Sequence, residues 1–192
     1  MYHGYGVAHE QFVWDARVYV RRRGFTFAIR TDASCDSSEP GVVNAFSTLF
    51  GTEKLLSSYD GINFTLPSSS LKPAGRWPHI DQNPRKKGLV CAQGVINFTP
   101  SGENDGGLIV MKGSHKLVEE FFATFPHVVG RKTWGPGDWF GFEEDEVKWF
   151  ADRGCETVKV CTEPGDLIIW DSRTVHFNCV PDSNQLRSAI CE

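Results

Sequence analysis

Apolar residues recur along the chain at two spacings, and each spacing predicts a different kind of element. Over residues 41–56, in the run GVVNAFSTLFGTEKLL, they return every three or four positions, which predicts an amphipathic helix whose first part ends at Gly51. Helices are also predicted over residues 116–125 and 142–154, the second ending at Gly154. The apolar positions of the first helix are Val42, Val43, Phe46, Leu49 and Phe50.

Strands are predicted from residue 62 onward. Ile62, Phe64 and Leu66 alternate with polar residues, which is the period of a half-buried strand. Short runs rich in β-branched residues follow, separated by Gly, Pro, Asn or Asp. Many short strands with few helices favour a mainly β fold, either an antiparallel barrel or a jelly roll. The further predicted strands cover residues 89–98, 107–111, 156–162, 166–170, 174–180 and 185–190.

The composition indicates a single globular domain over residues 1–192. A chain of this length buries roughly 70% of the surface of its unfolded form. Hydrophobic residues make up 40% of the chain and aromatic residues 12%, which excludes a disordered protein. The formal net charge is −4, so the chain lacks the strongly basic balance expected of a protein that binds nucleic acid or an anionic membrane.

Neither a membrane span nor a secretion signal is expected. No apolar run approaches the roughly 20 residues that cross a bilayer. The first residues, MYHGYGVAHEQF, lack the apolar core of a signal peptide. The six cysteines form no CxxC pair, which favours free thiols over a disulfide framework. We therefore expect a soluble cytoplasmic protein.

A His-x-Asp pair in the run RWPHIDQNP is the first candidate for chemistry. His79 and Asp81 flank one isoleucine, and such a pair is within reach of chance in a chain with six histidines. In a strand, however, residues i and i+2 point to the same face about 6.6 Å apart. An imidazole and a carboxylate at that spacing are able to converge on one metal ion.

His176, in the run GDLIIWDSRTVHFN, is the best candidate for a third ligand. Two histidines and one carboxylate on one side of a metal form the facial triad of non-haem Fe(II) oxygenases, which leaves coordination positions open. A 2-oxo acid and O₂ occupy those positions. Arg187 lies on the next predicted strand, and its guanidinium suits bidentate pairing with the far carboxylate of the 2-oxo acid.

Several motifs together give the chain a resemblance to a known family. In chain order they are WPHIDQNP, CAQGVINFTP, SGENDGGLIVMKGSHK, PGDLIIWDSRTVH and LRSAI. Over residues 40–192 the chain resembles the phytanoyl-CoA dioxygenase-like Fe(II)/2-oxoglutarate oxygenases. The resemblance implies a double-stranded β-helix, the jelly-roll (cupin-like) variant of the mainly β fold, with a few flanking helices. It also implies that His79, Asp81 and His176 bind iron and that Arg187 anchors 2-oxoglutarate.

Two asparagines are further candidates. Because strand residues alternate between faces, Asn178 shares a face with His176, and Asn97 shares one with Gln93. In the family, positions like these contact 2-oxoglutarate, so the resemblance implies that role for Asn97 and Asn178. The alternative for Gln93 and Asn97 is that they satisfy buried hydrogen bonds inside the barrel.

Two features depart from the family pattern. Val18–Glu39 carries an Arg cluster and a Ser/Asp-rich end, and it interrupts what otherwise resembles one continuous family segment. We expect either an exposed, charged loop or a 22-residue insertion that is poorly packed and dispensable. The chain also ends shortly after Arg187, where family members usually continue. A shortened last strand is expected to hold Arg187 less firmly and to leave a sheet edge open.

The resemblance implies an Fe(II)- and 2-oxoglutarate-dependent dioxygenase that uses O₂ to oxidise a small organic substrate and releases succinate and CO₂. The carboxylate of Asp81 favours oxygenation over halogenation, because related halogenases have a small residue at that position. Two alternatives stay open: a truncated, non-catalytic relative that binds only a metal or a small ligand, and a β-barrel hydrolase or isomerase that uses Zn²⁺. The motifs leave the identity of the substrate open.

Overall fold

Residues 4–5, 17–20, 26–30, 40–56, 61–65, 76–131 and 139–191 are described in a computed structural model of the chain. No helix within these ranges is long and apolar enough to cross a membrane.

The helices are α1 (Pro40–Phe50), α2 (Val118–Thr124) and α3 (Glu144–Ala151), with 3-10 turns at Ser114–Lys116 and Pro126–Gly130. The strands are β1 (Gly4–Tyr5), β2 (Arg17–Val20), β3 (Thr26–Arg30), β4 (Gly61–Thr65), β5 (His79–Ile80), β6 (Ala92–Asn97), β7 (Gly107–Lys112), β8 (Phe140–Gly141), β9 (Glu156–Lys159), β10 (Leu167–Asp171), β11 (His176–Cys179) and β12 (Arg187–Cys191).

The strands form two antiparallel sheets. The larger sheet has the order β1-β2-β3-β4-β12-β6-β10, and the smaller has the order β8-β5-β11-β7-β9. From β5 onward the chain crosses repeatedly between the sheets, which is the connectivity of a jelly roll. Side chains of both sheets line one central cavity. The predicted mainly β fold, a double-stranded β-helix with a few flanking helices, is confirmed.

The predicted elements are present, and several have shorter ends. α1 ends at Phe50, where the first part of the predicted helix ends, and residues 52–56 are not helical as the longer run had predicted. Gly51 follows with a φ of 66°, a left-handed conformation that a residue without Cβ adopts easily. The strand predicted over residues 89–98 begins only at Ala92. That residue, opposite Asp171, is the first to pair with β10.

The helices α2 and α3 cover one face of the smaller sheet with a cluster of aromatic side chains. Phe121 is fully buried in this cluster, and Ile80 and Val175 belong to it as well. His79 directly precedes Ile80, and His176 directly follows Val175. Because successive residues of extended chain point to opposite faces, the same packing turns His79 and His176 toward the cavity.

Part of the segment Val18–Glu39 is described, and there it is a strand. β2 pairs with β3, and β3 pairs with β4 in the larger sheet. The expectation of an exposed loop is therefore wrong for residues 18–20 and 26–30, where β-branched and aromatic residues favour a strand. The rest of the segment lies outside the described residues. That Val18–Glu39 is an insertion stays a prediction.

The strand that carries Arg187 is an inner strand of the larger sheet. β12 pairs with β4 on one side and with β6 on the other over the described residues. The ladder to β4 runs from Arg187 to Cys191. Hydrogen bonding on both sides holds this strand in place, in contrast to the loosely held last strand that we expected.

Candidate metal centre

His79 and His176 lie opposite each other on neighbouring strands of the smaller sheet. β5 pairs with β11 in antiparallel register, and these two histidines are the paired residues. Their ring centroids are 4.3 Å apart, and both residues are buried. Residues that pair across two strands point to the same face. The sheet register therefore joins two candidate ligands that are far apart in the sequence.

Asp81 completes the group from just beyond the end of β5. The same-face argument assumed a strand through Asp81, but β5 ends at Ile80, and the Asp81 backbone N–H donates to the Ser172 carbonyl at 3.0 Å. Asp81 Oδ2 lies 3.7 Å from His79 Nε2 and 3.5 Å from His176 Nε2. One ligand atom from each of the three residues lies within 4.8 Å of the other two, a separation that suits a single bound ion.

Backbone carbonyls set the way the two imidazoles face this centre. His79 Nδ1 lies 3.0 Å from the Trp77 carbonyl oxygen, and His176 Nδ1 lies 2.9 Å from that of Thr174. A carbonyl oxygen only accepts, so in the neutral rings Nδ1 carries the proton, and the lone pair of Nε2 faces Asp81. A hydrogen bond from the second nitrogen is the usual support of a metal-binding histidine. Two lone pairs and a carboxylate that face one another favour a bound cation.

The Asp81 carboxylate is held in its ionised form. Burial by itself would raise its pKa. Hydrogen bonds from the His176 and His79 rings, which form when Nε2 carries a proton, and the positive charge of those protonated rings outweigh burial and hold the pKa of Asp81 well below its usual range. In the neutral rings described above, a bound cation takes the place of that proton. The side-chain amide of Gln93 donates to Asp81 Oδ2 at 2.8 Å. This hydrogen bond orients the carboxylate, so the residue presents a fixed anionic oxygen beside the two imidazoles.

Indole rings surround the two histidines. Trp77 stacks on His79 with ring centroids 4.2 Å apart and planes 6° from parallel. Trp139 lies 5.5 Å from the same imidazole, and Trp170 meets His176 edge-on at 5.4 Å. These contacts limit the rotation of the imidazoles and the access of water. Nothing in the sequence distinguished these tryptophans from ordinary core residues.

Arg187 is a buried cation that lacks an anionic partner among the described residues. It is 5% exposed, its Nη1 donates to Asn63 Oδ1 at 3.2 Å, and its Nε has no hydrogen-bond partner. Burial lowers the pKa of the Arg187 guanidinium. Because a buried charge without a counter-charge is costly, this position is complementary to the carboxylate of a ligand.

One cavity of about 720 Å³ joins these groups. His79, Asp81 and His176 line it, together with Arg187 and Asn178. The structure thus brings together the residues that the sequence singled out, with one exception. The volume lies within the ~300–1,000 Å³ of typical small-molecule sites.

Asn97 is that exception, because it is not among the described residues that line the cavity. It is 1% exposed, its Nδ2 donates to Thr162 Oγ1 at 2.9 Å, and its Oδ1 has no hydrogen-bond partner. The geometry favours the alternative stated for this residue, a buried hydrogen-bonding role. Contact between Asn97 and a cosubstrate stays a prediction.

A family model matches the part of the chain that contains the three candidate ligands. The match is to the phytanoyl-CoA dioxygenase (PhyH) model, and it extends over residues 73–184, more than half of the chain. The chain belongs to the phytanoyl-CoA dioxygenase family. The resemblance inferred from the motifs is thereby confirmed.

Among curated proteins, this member of the phytanoyl-CoA dioxygenase family is similar to the Ava biosynthesis cluster protein O of Aspergillus versicolor. The two are 44% identical over 191 residues. The alignment covers 97% of this chain and 56% of the relative. The chain therefore spans little more than half the length of the curated relative that it matches.

Several solved structures share the fold. EvdMO1 has a TM-score of 0.59 at 19% identity, over 96% of this chain and 38% of that one. EctD from S. alaskensis, solved with 2-oxoglutarate and 5-hydroxyectoine, has a TM-score of 0.55 at 12% identity, over 81% of this chain and 49% of that one. The epimerase SnoN, in complex with Fe³⁺, alpha ketoglutarate and nogalamycin RO, has a TM-score of 0.55 at 16% identity, over 81% of this chain and 55% of that one. At these identities the similarity shows the fold alone.

Two residues that support the centre were missed by the sequence analysis. The carbonyl oxygen of Ser172 accepts a hydrogen bond from the Asp81 backbone N–H. The side chain of Gln82, directly after Asp81, accepts a hydrogen bond from the Ser172 hydroxyl. The motif around Asp81 contained Gln82 but no sign of its role. Ser172 carried no signal, because its contacts join segments that are distant in the sequence.

Proposed function

We propose that this member of the phytanoyl-CoA dioxygenase family is an Fe(II)- and 2-oxoglutarate-dependent dioxygenase. It oxidises a small organic substrate with O₂ and forms succinate and CO₂ from 2-oxoglutarate. One observation carries the proposal: the His79, Asp81 and His176 group shares a cavity with Arg187, a buried guanidinium for which the described residues supply no anionic partner.

In this proposal His79, Asp81 and His176 hold the iron. Two imidazole nitrogens and one carboxylate oxygen suit Fe(II) and leave positions open for a cosubstrate and O₂. When bound, the iron supplies the activation of O₂ and the oxidative decarboxylation of 2-oxoglutarate. The SnoN structure, which contains Fe³⁺ and alpha ketoglutarate in the same fold, supports this assignment.

Arg187 binds the far carboxylate of 2-oxoglutarate. Its planar guanidinium is able to form two parallel hydrogen bonds with a carboxylate, and the ligand then supplies the negative charge that this buried side chain lacks. The EctD structure with 2-oxoglutarate supports the choice of cosubstrate. Asn178, which lines the cavity, and Asn97 are proposed to contact 2-oxoglutarate too. For Asn97 this requires its amide to turn away from Thr162.

The surrounding residues keep the site ordered and dry. Gln93 donates to Asp81 Oδ2 and so restricts the carboxylate to one orientation. The indoles of Trp77 and Trp139 flank the His79 ring and keep water from its faces. The protein thereby supplies orientation and the exclusion of water.

Succinate formation tests the proposal. Purified protein supplied with Fe(II), 2-oxoglutarate, O₂ and a pool of candidate substrates is expected to form succinate, and omission of any one of the first three is expected to stop it. Asp81→Ala and His176→Ala are expected to abolish succinate formation. His127→Ala is the control, because this histidine is exposed and outside the cavity lining; equal losses in all three variants would contradict the proposal.

The same assay separates the two other functions. A folded protein that binds Fe(II) and 2-oxoglutarate without turnover on any substrate pool would be the non-catalytic relative. Hydrolysis that persists with Zn²⁺ under anaerobic conditions would identify a hydrolase.

We further propose that residues 1–192 form one domain and act on a small molecule in the cytoplasm. The five described cysteines are free thiols, as expected in a reducing compartment. Microscopy of the tagged protein tests the location, and accumulation in the secretory pathway would contradict it.

A further inference from the structure

We propose that the substrate is an uncharged, largely hydrophobic small molecule and that α1 selects it. This proposal rests on the dioxygenase function proposed above and names the class of substrate for the same site. The observations that support it come from α1 and from the exposed apolar residues of the cavity wall, none of which is a candidate metal ligand.

α1 turns an apolar ridge toward the cavity. Val42, Phe46 and Phe50 recur every four residues, so they lie above one another on one helix face, and all three line the cavity. Exposure increases along this ridge, from 7% at Val42 to 38% at Phe50. The apolar face of a surface helix normally packs on a core. Val42 is already buried, and at Phe46 and Phe50 the cavity takes the place of the core side chains that would cover the ridge.

The apolar wall continues to the mouth of the cavity. Leu56 and Val90 line the cavity, yet they are 102% and 49% exposed. Exposed apolar side chains grouped around an opening are typical of a site for an apolar ligand. A hydrophobic molecule that enters beside α1 would cover the ridge and this rim together.

In the proposed function, the charged side chains of the cavity wall bind the metal and the cosubstrate, so none is left for the substrate. Among the described residues that line the cavity, Asp81 and Arg187 carry a full charge. Asp81 belongs to the metal centre, and Arg187 anchors 2-oxoglutarate. Of the three amides of the described wall, Gln93 donates to Asp81, Asn63 accepts from Arg187, and Asn178 is assigned above to 2-oxoglutarate. A second anionic ligand finds no further basic side chain in this part of the wall.

These features favour one class of substrate over another. A phosphate or carboxylate group beside α1 would lose its water without gaining a counter-charge, which is costly. A neutral apolar molecule gains free energy there, because it removes the ridge from water. We therefore infer a neutral hydrophobic substrate and not an acyl-CoA, whose phosphates would require basic side chains.

Two fluorescent probes that differ by one sulfonate test the inference. N-phenyl-1-naphthylamine is neutral, and 1-anilinonaphthalene-8-sulfonate is its anionic counterpart. We expect metal-free protein to bind the neutral probe saturably and at least ~10-fold more tightly than the sulfonate. The same preference is expected in Arg187→Gln protein, where the sulfonate has no access to the cosubstrate anchor.

Variants of α1 locate the binding site. Phe46→Lys is expected to weaken binding of the neutral probe by ~10-fold or more and to strengthen binding of the sulfonate. Phe50→Lys, at a more exposed position of the same ridge, gives a second measurement if Phe46→Lys does not fold. Leu49→Lys is the control, because Leu49 is 46% exposed and outside the cavity lining; it is expected to change neither affinity by more than ~2-fold.

Two results would contradict the proposal that the substrate is neutral and hydrophobic. One is sulfonate binding as tight as that of the neutral probe in Arg187→Gln protein, and the other is an equal effect of Phe46→Lys and Leu49→Lys. Because the probes are measured without metal, such a result alongside intact succinate formation rejects the substrate class alone. The expected probe binding without succinate formation rejects the dioxygenase function alone.

Discussion

Ser172 Oγ donates a hydrogen bond of 3.0 Å to Gln82 Oε1, and both side chains are buried. Gln82 directly follows Asp81, and Ser172 lies shortly before His176 in the chain. The bond therefore ties the segment that carries one ligand to the segment that carries another. Gln82 Nε2 also donates to the Gly88 carbonyl at 3.1 Å, which holds the loop after Asp81. We regard Gln82 and Ser172 as positioning residues of the metal centre.

Gln82→Ala is expected to weaken metal binding by ~10–100-fold, the usual effect of removing a partner that orients metal ligands. The reason is that Asp81 loses the contact that fixes the chain directly after it. Anaerobic titration with Fe(II) measures the change. Gln185→Ala, at an exposed position, is the matched control and is expected to leave metal affinity unaltered.

A double-mutant cycle tests whether Gln82 and Ser172 act as a pair. Because they share one hydrogen bond, the losses of metal affinity in Gln82→Ala and Ser172→Ala are expected to be less than additive in the double variant. Strict additivity would mean that the two side chains act separately and would remove the basis for a positioning role of the pair.

Arg187→Met is expected to have opposite effects on cosubstrate binding and on stability. Without the guanidinium, the metal-loaded protein should lose binding of 2-oxoglutarate, measured by calorimetry. The ligand-free variant should melt at a higher temperature than the parent protein, because removal of a buried, unpaired charge is often stabilising. Arg85→Met, at an exposed position, is the control. A lower melting temperature together with unchanged 2-oxoglutarate binding would show that Arg187 is structural only.

Phe121→Ala is expected to lower the free energy of unfolding by about 3–5 kcal/mol, the range for removal of a fully buried phenylalanine. Phe121 is 0% exposed and contacts aromatic rings from α3 and the loop before it. Urea unfolding followed by fluorescence measures the loss. Phe98→Ala removes a phenylalanine that is 49% exposed and is expected to cost much less; similar losses in both would contradict the assignment of the core.

The pair Asp171–Arg173 is expected to make stability depend on pH. Arg173 Nη2 lies 2.6 Å from Asp171 Oδ2. Burial raises the pKa of Asp171, but the hydrogen bonds and charge of Arg173 outweigh it and lower that pKa below its usual value of 3.8. A carboxyl pKa that is lower in the folded state stabilises the fold above the unfolded-state value, and this contribution is lost as the pH falls through the folded-state pKa.

Asp171→Asn is therefore expected to lower the free energy of unfolding at neutral pH, and its effect should shrink as the pH falls below about 4. Urea unfolding of both proteins across this range measures the difference. Asp182→Asn, at an exposed position, serves as the control. An effect of Asp171→Asn that stays constant down to the lowest pH would contradict the ion pair as its cause.

Local patterns of the sequence determined the elements and the ligand chemistry. The spacing of apolar residues predicted α1 and most strands of the two sheets, because a helix or strand face depends on neighbours along the chain. The residue types of His79, Asp81 and His176 indicated a facial metal site, because few ligand sets share that composition. Both inferences depend on properties that short segments carry by themselves.

Only the tertiary structure decided how these parts meet. The pairing of His79 with His176 is a matter of register between β5 and β11, and the Ser172–Gln82 bond joins segments distant in the chain. Asn97 shows the limit of the alternation argument, since it lies on the predicted strand but outside the cavity lining. α1 shows the limit of the helical pattern. Its periodicity establishes that one face is apolar, but whether a core or an open cavity lies against that face depends on the packing of the whole domain.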